Sequence, residues 1–424
     1  MPGDSVPLQD RPCLSLQDSM LTQPKKSNKC KSRGILSEGL DTEWTPTDLI
    51  LQFTPPRKKQ RLFSKGKEND SNQFVLGRRS RRKDPSPNIS WDQLPDEVVL
   101  RIFFCLPIQD LVRISVVCKR WQRLAFDESL WHSVDLEGMT HTGLALQQVL
   151  RTGIRRLRCP RSFVEELHLT YRGSLQVVQM DLSNSVIPTL ALEDLICRCR
   201  LLECLSLEGL QLSDTIISCL AKNTRLQELN LSGCSAFSAP ALARMLKSCS
   251  RIQQLNLSWC TFDNNHIKSV VDNLSSSVTH LNLSGYRESL TLNDVKVLVE
   301  KCPQIKTLDL SDSTLLTADC LPVLKQLKNL LHLSLSRCYH IHLAALTWCD
   351  CSDVDKMFPV LSQLDVFGLV QDSQLPSLKK GMPHVSINSR PFSSIARPTP
   401  ASRFVGSTSD RTMWNKKCRL RFGL

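Results

Sequence analysis

Four potential metal ligands lie close together in the last quarter of the chain: His340, His342, Cys349 and Cys351. Zinc prefers imidazole nitrogen and thiolate sulfur, so these residue types suit a metal centre. Their spacing, however, fits no familiar structural zinc motif. An irregular loop insertion is the simpler interpretation, and we therefore predict neither a metal nor any other cofactor.

Nothing else in the sequence indicates catalysis. No combination of nucleophile, base and orienting group stands out, and the 16 glycines are scattered rather than gathered into a phosphate-binding loop. Eighteen cysteines would allow disulfides, but many of them recur at fixed positions of a repeat, so reduced, buried thiols are the better interpretation. We expect a protein that binds other molecules without catalysing a reaction.

The first 89 residues differ in composition from the rest of the chain. They are rich in Ser, Pro, Asn, Gln and Lys and show no sustained period, so we predict a disordered arm. This arm contains 17 Lys plus Arg against 10 Asp plus Glu, which gives +7 (17 − 10) of the total charge of +13. Because signal-peptide and membrane-span patterns are absent, we expect a soluble chain that is not secreted.

Two basic runs in this arm, Pro55–Arg61 and Arg78–Lys83, have the loose spacing of a two-part nuclear import signal. A solvated charged tail and a nucleic-acid-binding segment are the alternatives. Thr54 and Ser64 lie in patterns that protein kinases favour, and a phosphate there would place negative charge beside a basic run. We predict modification at these two residues, a nuclear and also cytoplasmic location, and no direct contact with membrane or nucleic acid.

The segment from Ser90 to Leu136 predicts three short helices. The first lies in LPDEVVLRIFFCL, where Pro95 suits the first helical position and the acidic pair after it suits the positive end of the helix dipole. From Val98 to Leu106 the only polar side chain is Arg101, so this helix is apolar on nearly every side. Fewer than fifty residues seldom sustain a core alone, and a partner must therefore cover the excess apolar surface.

This segment resembles the F-box family. The family pattern of an LP entry, an acidic residue, an apolar helix, DL, VCKxW and a final LW is met by Leu94, Pro95, Glu97, Asp110, Leu111, Val117, Cys118, Lys119, Trp121, Leu130 and Trp131. In that family the first helix packs on the small adaptor of SCF ubiquitin ligases. The resemblance thus implies an adaptor-binding face, with the candidate residues Trp91, Leu94, Pro95, Val99, Ile102 and Phe103. A helical cap that binds no adaptor is the alternative.

Beyond residue 170, phrases such as LQELNLSGC and IQQLNLSWC keep returning. The last apolar residue of each central pair is Leu182, Leu207, Leu231, Leu257, Leu283, Leu310, Leu335 or Val366. The intervals of 25, 24, 26, 26, 27, 25 and 31 residues are those of leucine-rich repeats. Weaker phrases, WHSVDLEG and VEELHLTY, would add further repeats, and the enlarged last interval coincides with the His and Cys cluster.

Each repeat predicts one short parallel strand and one helix. In LQELNLSGC, Leu229 and Leu231 point inward, whereas Glu228, Asn230 and Ser232 face outward. In SAPALARMLKSC a cap is followed by one apolar stripe; the residues are Ser238, Pro240, Leu242, Met245, Leu246 and Cys249. The strands then line a concave face and the helices a convex face, so the fold class is α/β.

Residues just past the strands form one edge of the predicted sheet. Its large or charged side chains are Trp259, Tyr286, Arg287, Asp312, Arg337 and Tyr339. Three steps of about 4.8 Å make this edge roughly 14 Å long, which suits about four or five residues of extended peptide. The arginines and aromatic rings favour an acidic or phosphorylated segment. Scattered surface polarity is the alternative.

An F-box before leucine-rich repeats resembles the substrate receptors of SCF ubiquitin ligases. The resemblance implies binding to the adaptor, S-phase kinase-associated protein 1, and through it to cullin and RING subunits. It also implies a cyclin-kinase-subunit accessory protein, a cyclin A kinase complex and phosphorylated Kip-type inhibitors of cyclin-dependent kinases, whose degradation promotes passage from G1 to S phase. Arg287, Arg337 and Tyr339 are the candidate contacts for inhibitor and accessory protein. A repeat scaffold or inhibitor without ligase function is the competing hypothesis.

We divide the chain into a disordered basic arm (1–89), an F-box (90–136), leucine-rich repeats (137–388) and a C-terminal tail (389–424). The resemblance implies a tail that folds back over the concave face, with Trp414, Leu420 and Phe422 as candidate anchors, and a disordered tail is the alternative. The chain departs from the family pattern in an insertion at 347–358 and in SRPF (Ser389–Phe392), which lacks a His expected near the accessory-protein site.

Overall fold

The computed structural model describes residues 91–137, 139, 142–169, 173–342, 358–398, 412–414 and 416–421. The predicted disordered arm, its basic runs and its two modification sites lie outside these residues, and so do Cys349, Cys351, Phe422 and nearly all of the 347–358 insertion. Among the described residues, no helix is long and apolar enough to span a bilayer. The same residues contain no group of three or more His, Cys, Asp or Glu side chains arranged to hold a metal ion.

Three short helices follow a 3-10 turn at Trp91–Gln93. They are α1 (Asp96–Phe103), α2 (Ile108–Ile114) and α3 (Lys119–Ala125), as the sequence predicts. Pro95 lies just before α1 instead of forming its first residue, because its ψ of 150° is extended. Pro107 has the same place before α2, and the Cys118 thiol caps α3 by accepting from the Trp121 N–H at 3.4 Å.

The described residues after α3 form a solenoid around one parallel sheet of twelve strands, confirming the predicted fold. In chain order the strands are β1 (Ser133–Asp135), β2 (Arg156–Arg158), β3 (Gln179–Asp181), β4 (Cys204–Ser206), β5 (Glu228–Asn230), β6 (Gln254–Asn256), β7 (His280–Asn282), β8 (Thr307–Asp309), β9 (His332–Ser334), β10 (Gln363–Asp365), β11 (Ser386–Ile387), β12 (Thr412–Met413), β13 (Lys416–Lys417) and β14 (Leu420–Arg421). Strands β12 and β13 form a separate antiparallel pair. In the main sheet β1 to β11 follow one another in order, and β14 lies beside β1.

Helices alternate with these strands along the solenoid. They are α4 (Gly143–Arg151), α5 (Thr189–Arg198), α6 (Asp214–Leu220), α7 (Ala239–Ser248), α8 (Asn264–Asn273), α9 (Leu292–Lys301), α10 (Cys320–Leu324) and α11 (Leu375–Gly381). Helix α7 begins as predicted, because the Ser238 hydroxyl accepts from the Ala241 N–H at 3.4 Å and Pro240 lies in the first turn. Its predicted apolar stripe is buried against the sheet.

From β4 to β10, the centre of each strand contributes one leucine to a continuous ladder. Leu205, Leu229, Leu255 and Leu281 pair directly across β4 to β7, and the register continues through β8, β9 and β10. These side chains are buried, and each such burial contributes about 1.5–3 kcal/mol. Because every strand keeps the same register, the core is a stack of equivalent layers.

Two of the three side chains expected to face outward in the β5 repeat are buried, and the third, Glu228, is partly exposed. Asn230 and Ser232 have almost no exposed surface. The Asn230 Oδ1 accepts from the Ser232 N–H at 3.0 Å, and its Nδ2 donates to Ser206 Oγ at 2.9 Å and Glu208 Oε2 at 2.9 Å. Equivalent Asn or Asp side chains capture the main chain two residues on in β6, β7 and β8. Such side-chain bonds end the strand.

The first repeats depart from the sequence prediction. The phrase WHSVDLEG supplies β1, but the phrase VEELHLTY forms no strand over 164–169. Strand β2 instead uses the preceding residues, where Leu157 is fully buried. Val164 and Leu167 of the mispredicted phrase are buried too. Their apolar spacing therefore predicts correctly that the side chains are buried, but it does not predict the secondary structure.

The cysteine prediction holds at the repeat positions and fails at one pair. The free, buried thiols include Cys199, Cys234, Cys249, Cys260, Cys302 and Cys338. Cys197 and Cys219 are instead joined by a disulfide between α5 and α6. Neither of these two residues lies at a position where cysteine recurs from repeat to repeat. The recurrence that predicts reduced, buried thiols therefore does not apply to them.

The C-terminal tail completes the sheet at its first edge. Strand β14 pairs parallel with β1, placing Leu420 opposite Val134 with 1 % of its surface exposed. The Arg419 guanidinium lies 3.0 Å from the centroid of the Phe104 ring, next to α1, and donates to Ser129 O at 2.7 Å. The end of the chain thus contacts both the first repeat and the three-helix segment.

We expect the Leu420→Ala variant to lose about 2–5 kcal/mol of unfolding free energy, because it removes a buried side chain and uncovers the β1 edge. Urea unfolding followed by circular dichroism measures this loss. Lys416→Ala, at an exposed position in β13, is the control and should unfold like the unsubstituted chain. Equal midpoints for the two variants would contradict the placement of β14 in the core.

Candidate functional site

The three-helix segment exposes an apolar surface, which we call the helical face. Its members are Trp91, Val98, Ile102, Phe104, Val116 and Val117, each between 39 % and 62 % exposed. Val98 and Ile102 are one helical turn apart and therefore lie on the same side of α1. Exposed apolar surface concentrated in so short a segment is characteristic of a protein-interaction site.

The six residues predicted to contact an adaptor divide between this face and the core. Trp91, Pro95 and Ile102 are exposed and Leu94 is partly exposed, but Val99 and Phe103 are buried inside the chain. The expectation that these two offer contact surface is therefore corrected. The sequence shows two apolar stripes on α1, 98/102 and 99/103, without showing which one turns inward. As a result, Val98 and Phe104 were missed as candidates.

Arg120 of α3 fixes the shape of the helical face. Its guanidinium bonds to Asp96 Oδ1 at 2.9 Å, to Trp91 O at 3.1 Å and to Leu94 O. The Arg120 hydrogen bond and the Arg123 charge lower the pKa of Asp96, although the carboxylate is solvent-exposed. The Trp121 ring packs edge-on against Trp91 at 5.5 Å and Phe103 at 5.3 Å. The entry turn and α1 are thus held in one orientation.

A second candidate surface, the rim, follows the strands. Three residues after each strand from β2 to β10, one residue adopts positive φ; these residues are Arg161, Asn184, Gly209, Gly233, Trp259, Gly285, Asp312, Arg337 and Gly368. A non-glycine residue loses about 1–2 kcal/mol in this conformation. Trp259 at 56°, Asp312 at 59° and Arg337 at 57° adopt it nevertheless. Their side chains must therefore make compensating contacts.

Those contacts run from each repeat to the next. The Trp259 ring lies over Gly285, where an added Cβ would come within 2.7 Å of it, and a Cβ added at Gly368 would come within 3.1 Å of the Arg337 side chain. Asp312 accepts from Arg337 Nε at 2.7 Å and Nη2 at 2.5 Å. Glycine at the neighbouring position therefore makes room for the large side chain beside it.

The structure places only part of the predicted set on the rim surface. Trp259, Arg287 and Tyr339 are exposed and Arg337 is 44 % exposed, whereas Asp312 is buried. The hydrogen bonds that Arg337 donates to Asp312 raise the pKa of Arg337, and the carboxylate partly offsets the arginine charge. The rim is accordingly less basic than two free arginines would make it.

Tyr286 belongs to the core, which corrects its assignment as a binding residue. Its hydroxyl donates to Leu257 O and accepts from the Cys260 N–H at 3.3 Å. The thiols of Cys234 and Cys260 make the same kind of bond to the preceding repeat at 3.0 Å. Tyr286 thus replaces a cysteine, and its ring fills the space by stacking on Phe262 at 5.5 Å.

The tail covers part of the concave face. Asn256 Nδ2 donates to Ile395 O at 3.2 Å, and the Ala396 N–H donates to Gln254 Oε1 at 3.2 Å. Arg397 bonds to Glu208 Oε2 at 2.7 Å, and both side chains are largely buried. Sequence reasoning missed Glu208 and Arg397, because 189 positions separate them and no local pattern reports such a pair.

A cavity of about 490 Å³ lies between this tail and the sheet. Its floor consists of the first residues of adjacent strands, Glu228, Gln254, His280, Thr307, His332 and Gln363. Burial raises the pKa of Glu228 and lowers the pKa of His280, so both groups tend towards their neutral forms. The side of the cavity formed by the tail includes Arg390, Phe392 and Trp414. Trp414 thus lies near the concave face, while Leu420 lies in β14.

Comparison with known proteins identifies two family segments. The family model of the SKP2 LRR domain matches residues 144–421, and the F-box-like family model matches residues 91–137. F-box/LRR-repeat protein 12 of Homo sapiens is 48 % identical over 59 residues, which are 14 % of this chain and 18 % of that protein. F-box/LRR-repeat protein 21 of Bos taurus is 36 % identical over 72 residues, covering 15 % and 16 %. This chain thus spans less than a fifth of the length of either curated relative.

The solved structures have lower sequence identity to the chain than these relatives do. The Rad7 and Elc1 complex in yeast shows 13 % identity and a TM-score of 0.41, covering 71 % of this chain and 94 % of that one. An internalin from Listeria monocytogenes shows 18 % identity and a TM-score of 0.37, covering 60 % and 72 %. Both TM-scores are below 0.5, so neither likeness bears on function.

The rim contacts predict a difference between two glycine variants. Gly285→Ala and Gly233→Ala both place a side chain at positive φ, but only at 285 would the new Cβ collide with the Trp259 ring; at 233 its nearest neighbour is 3.7 Å away. We expect each variant to lose about 1–2 kcal/mol through its backbone, and Gly285→Ala to lose more. Denaturant unfolding of both proteins measures the difference. Equal losses would contradict the packing of Trp259 on Gly285.

Proposed function

Since the chain belongs to the SKP2 LRR domain family and carries an F-box-like segment before its repeats, we propose that it is the substrate receptor of an SCF-type ubiquitin ligase. The observation that carries this proposal is the exposed helical face next to a solenoid with a separate, chemically different rim. One surface suits an adaptor and the other suits cargo. The chain itself contributes binding and orientation, and catalysis resides in other subunits.

The adaptor that we propose for the helical face is S-phase kinase-associated protein 1, which would connect the chain to cullin and RING subunits. Support comes from the chemistry of this surface. Val98, Ile102 and Phe104 present aliphatic and aromatic groups, and the Arg120 bonds hold the entry turn beside them. A preformed apolar surface binds with little loss of conformational entropy.

We expect Ile102→Asp to abolish co-purification of the full chain with this adaptor, because it places a charge in the centre of a desolvated contact. Quantitative pull-down with purified adaptor measures the effect. The matched control is Leu190→Asp, which places the same charge at an exposed leucine on α5. Full binding by the Ile102 variant, or equal loss by both variants, would overturn the assignment and favour a repeat scaffold or inhibitor without ligase function.

For the rim we propose a phosphorylated Kip-type inhibitor of cyclin-dependent kinases, bound together with a cyclin-kinase-subunit accessory protein and presented by a cyclin A kinase complex. We also infer a resemblance to S-phase kinase-associated protein 2, and the role would then be to promote entry into S phase. Trp259 and Tyr339 offer exposed aromatic surface after their strands, and Arg287 is an exposed cation after β7. This combination suits a phosphate-bearing, extended segment.

The proposed mechanism is positional. A receptor that holds a substrate lysine near a ubiquitin-charged enzyme raises the effective concentration of the reacting groups. The proposal also includes nuclear action, which rests on the basic runs Pro55–Arg61 and Arg78–Lys83, with Thr54 and Ser64 as phosphorylation sites that regulate it.

We expect Arg287→Ala to weaken binding of a phosphorylated Kip-type peptide, in the presence of the accessory protein, by about tenfold, since it removes one charge-assisted contact. Fluorescence anisotropy with the full chain measures the affinity. Arg251→Ala is the control, because Arg251 is also exposed but precedes its strand, at the opposite edge of the sheet. Unchanged affinity for the Arg287 variant, or an equal loss for Arg251→Ala, would remove the rim from the proposed binding site.

A further inference from the structure

The disulfide between Cys197 and Cys219 joins the helices of two adjacent repeats. Cys197 lies in the last turn of α5 and Cys219 in the last turn of α6, with their Cα atoms 5.1 Å apart. Cys219 is 5 % exposed, whereas Cys197 is partly exposed. Solution reagents therefore have access to the bond from the Cys197 side.

Asn223 brings the two helices together independently of the disulfide. Its Nδ2 donates to Cys199 O at 3.2 Å and Cys219 O at 3.4 Å, and its Oδ1 accepts from the Leu202 N–H at 3.0 Å. The Asn223 side chain is fully buried. Because these bonds fix the ends of α5 and α6 relative to each other, the two thiols stay close in the reduced protein as well. Such positioning raises their effective concentration towards each other.

The neighbouring thiols compete poorly for the same chemistry. Burial raises the pKa of Cys199 and of Cys204 to about 12, and the first attack on a dissolved disulfide needs an accessible thiolate. The Cys199 thiol also donates to Leu195 O at 3.4 Å. These two cysteines are thus kept protonated and inward, although Cys199 is only two residues from Cys197.

We propose that Cys197 and Cys219 form a reversible redox site, which closes by exchange with a low-molecular-weight disulfide such as glutathione disulfide. The more exposed Cys197 thiolate attacks one sulfur of glutathione disulfide and releases the first glutathione thiolate. The Cys219 thiolate then displaces the second glutathione from Cys197. Overall two protein thiols are oxidised to one disulfide, one glutathione disulfide is reduced to two glutathione thiols, and the two protons pass to the released thiolates.

Closing this bond locks one complete turn of the solenoid. The closed loop contains β4 and Glu208, the carboxylate that holds Arg397 of the tail. A disulfide restricts the unfolded chain, and the effect grows with the length of the loop, here a sequence separation of 22. Oxidation therefore makes local opening of this repeat rarer and retains the tail on the concave face.

The test uses the full chain, equilibrated with defined mixtures of reduced and oxidised glutathione and then quenched by alkylation. Mass spectrometry of the monomer, digested without reduction, should show a peptide linking Cys197 to Cys219 whose amount rises with oxidised glutathione and disappears with dithiothreitol. Oxidation should also raise the thermal midpoint by several degrees and slow amide hydrogen exchange in β4.

Comparison of oxidised and reduced unsubstituted protein needs no variant and so does not depend on how any substitution folds. Cys197→Ser should lose the linked peptide and both shifts, whereas Cys105→Ser, at an exposed free thiol next to α1, should keep them. The proposal is overturned if Cys197 carries only glutathione, if the linkage joins other cysteines or separate chains, or if closure leaves hydrogen exchange in β4 unchanged. Adaptor and peptide binding are separate measurements, so this outcome is independent of the receptor role.

Discussion

The in-register leucine ladder is the constraint on which the rest of the structure depends. A single repeat has one short strand and one helix and cannot bury its apolar side alone. Leu229 becomes buried only because Leu205 and Leu255 lie directly beside it. Keeping that register forces the chain to turn at the same point in every layer. The recurring positive φ three residues after each strand from β2 to β10 is the geometric result, and it creates the rim.

The same register places polar side chains in rows, and their buried hydrogen-bonding groups need partners. In the middle repeats, Asn and Asp side chains bond to the main chain two residues on. At the first repeats Asp135 and Asp181 make the same bond, and the buried Arg158 guanidinium also donates to both carboxylate oxygens of Asp135, at 3.0 and 2.9 Å. Glu208 accepts both from Asn230 of the next repeat and from the distant tail residue Arg397. Binding capacity on the concave face is therefore what remains after the fold has met its own hydrogen-bonding needs.

Features that recur in every repeat, or that form between residues close in the sequence, can be predicted from the sequence. Contacts between distant parts of the chain cannot. The strand and helix of a repeat, and the Ser238 cap, are encoded within a dozen residues, so periodicity and capping rules identify them. Residue type alone misplaced Tyr286, because a large polar aromatic suggests a surface whereas its hydroxyl copies a buried thiol bond. The choice of inward stripe on α1 depends on the position of Trp121. The Glu208–Arg397 pair and the Cys197–Cys219 bond require knowledge of the folded layers.

The tail changes how the solenoid responds to local opening. In a stack where each repeat touches only its neighbours, stability is a sum of local terms, and opening at one repeat disconnects the two sides. Here the tail bonds to Asn256, Glu208 and Ser129 across 139, 189 and 290 positions. These contacts connect repeats that are not neighbours in the stack. A repeat that lies between two such contacts therefore cannot open freely while the tail remains attached. The receptor role that we propose gains from such coupling, because Arg419 also contacts Phe104 on the helical face. The tail therefore links the mechanical stability of the repeats to the surface that we propose for the adaptor.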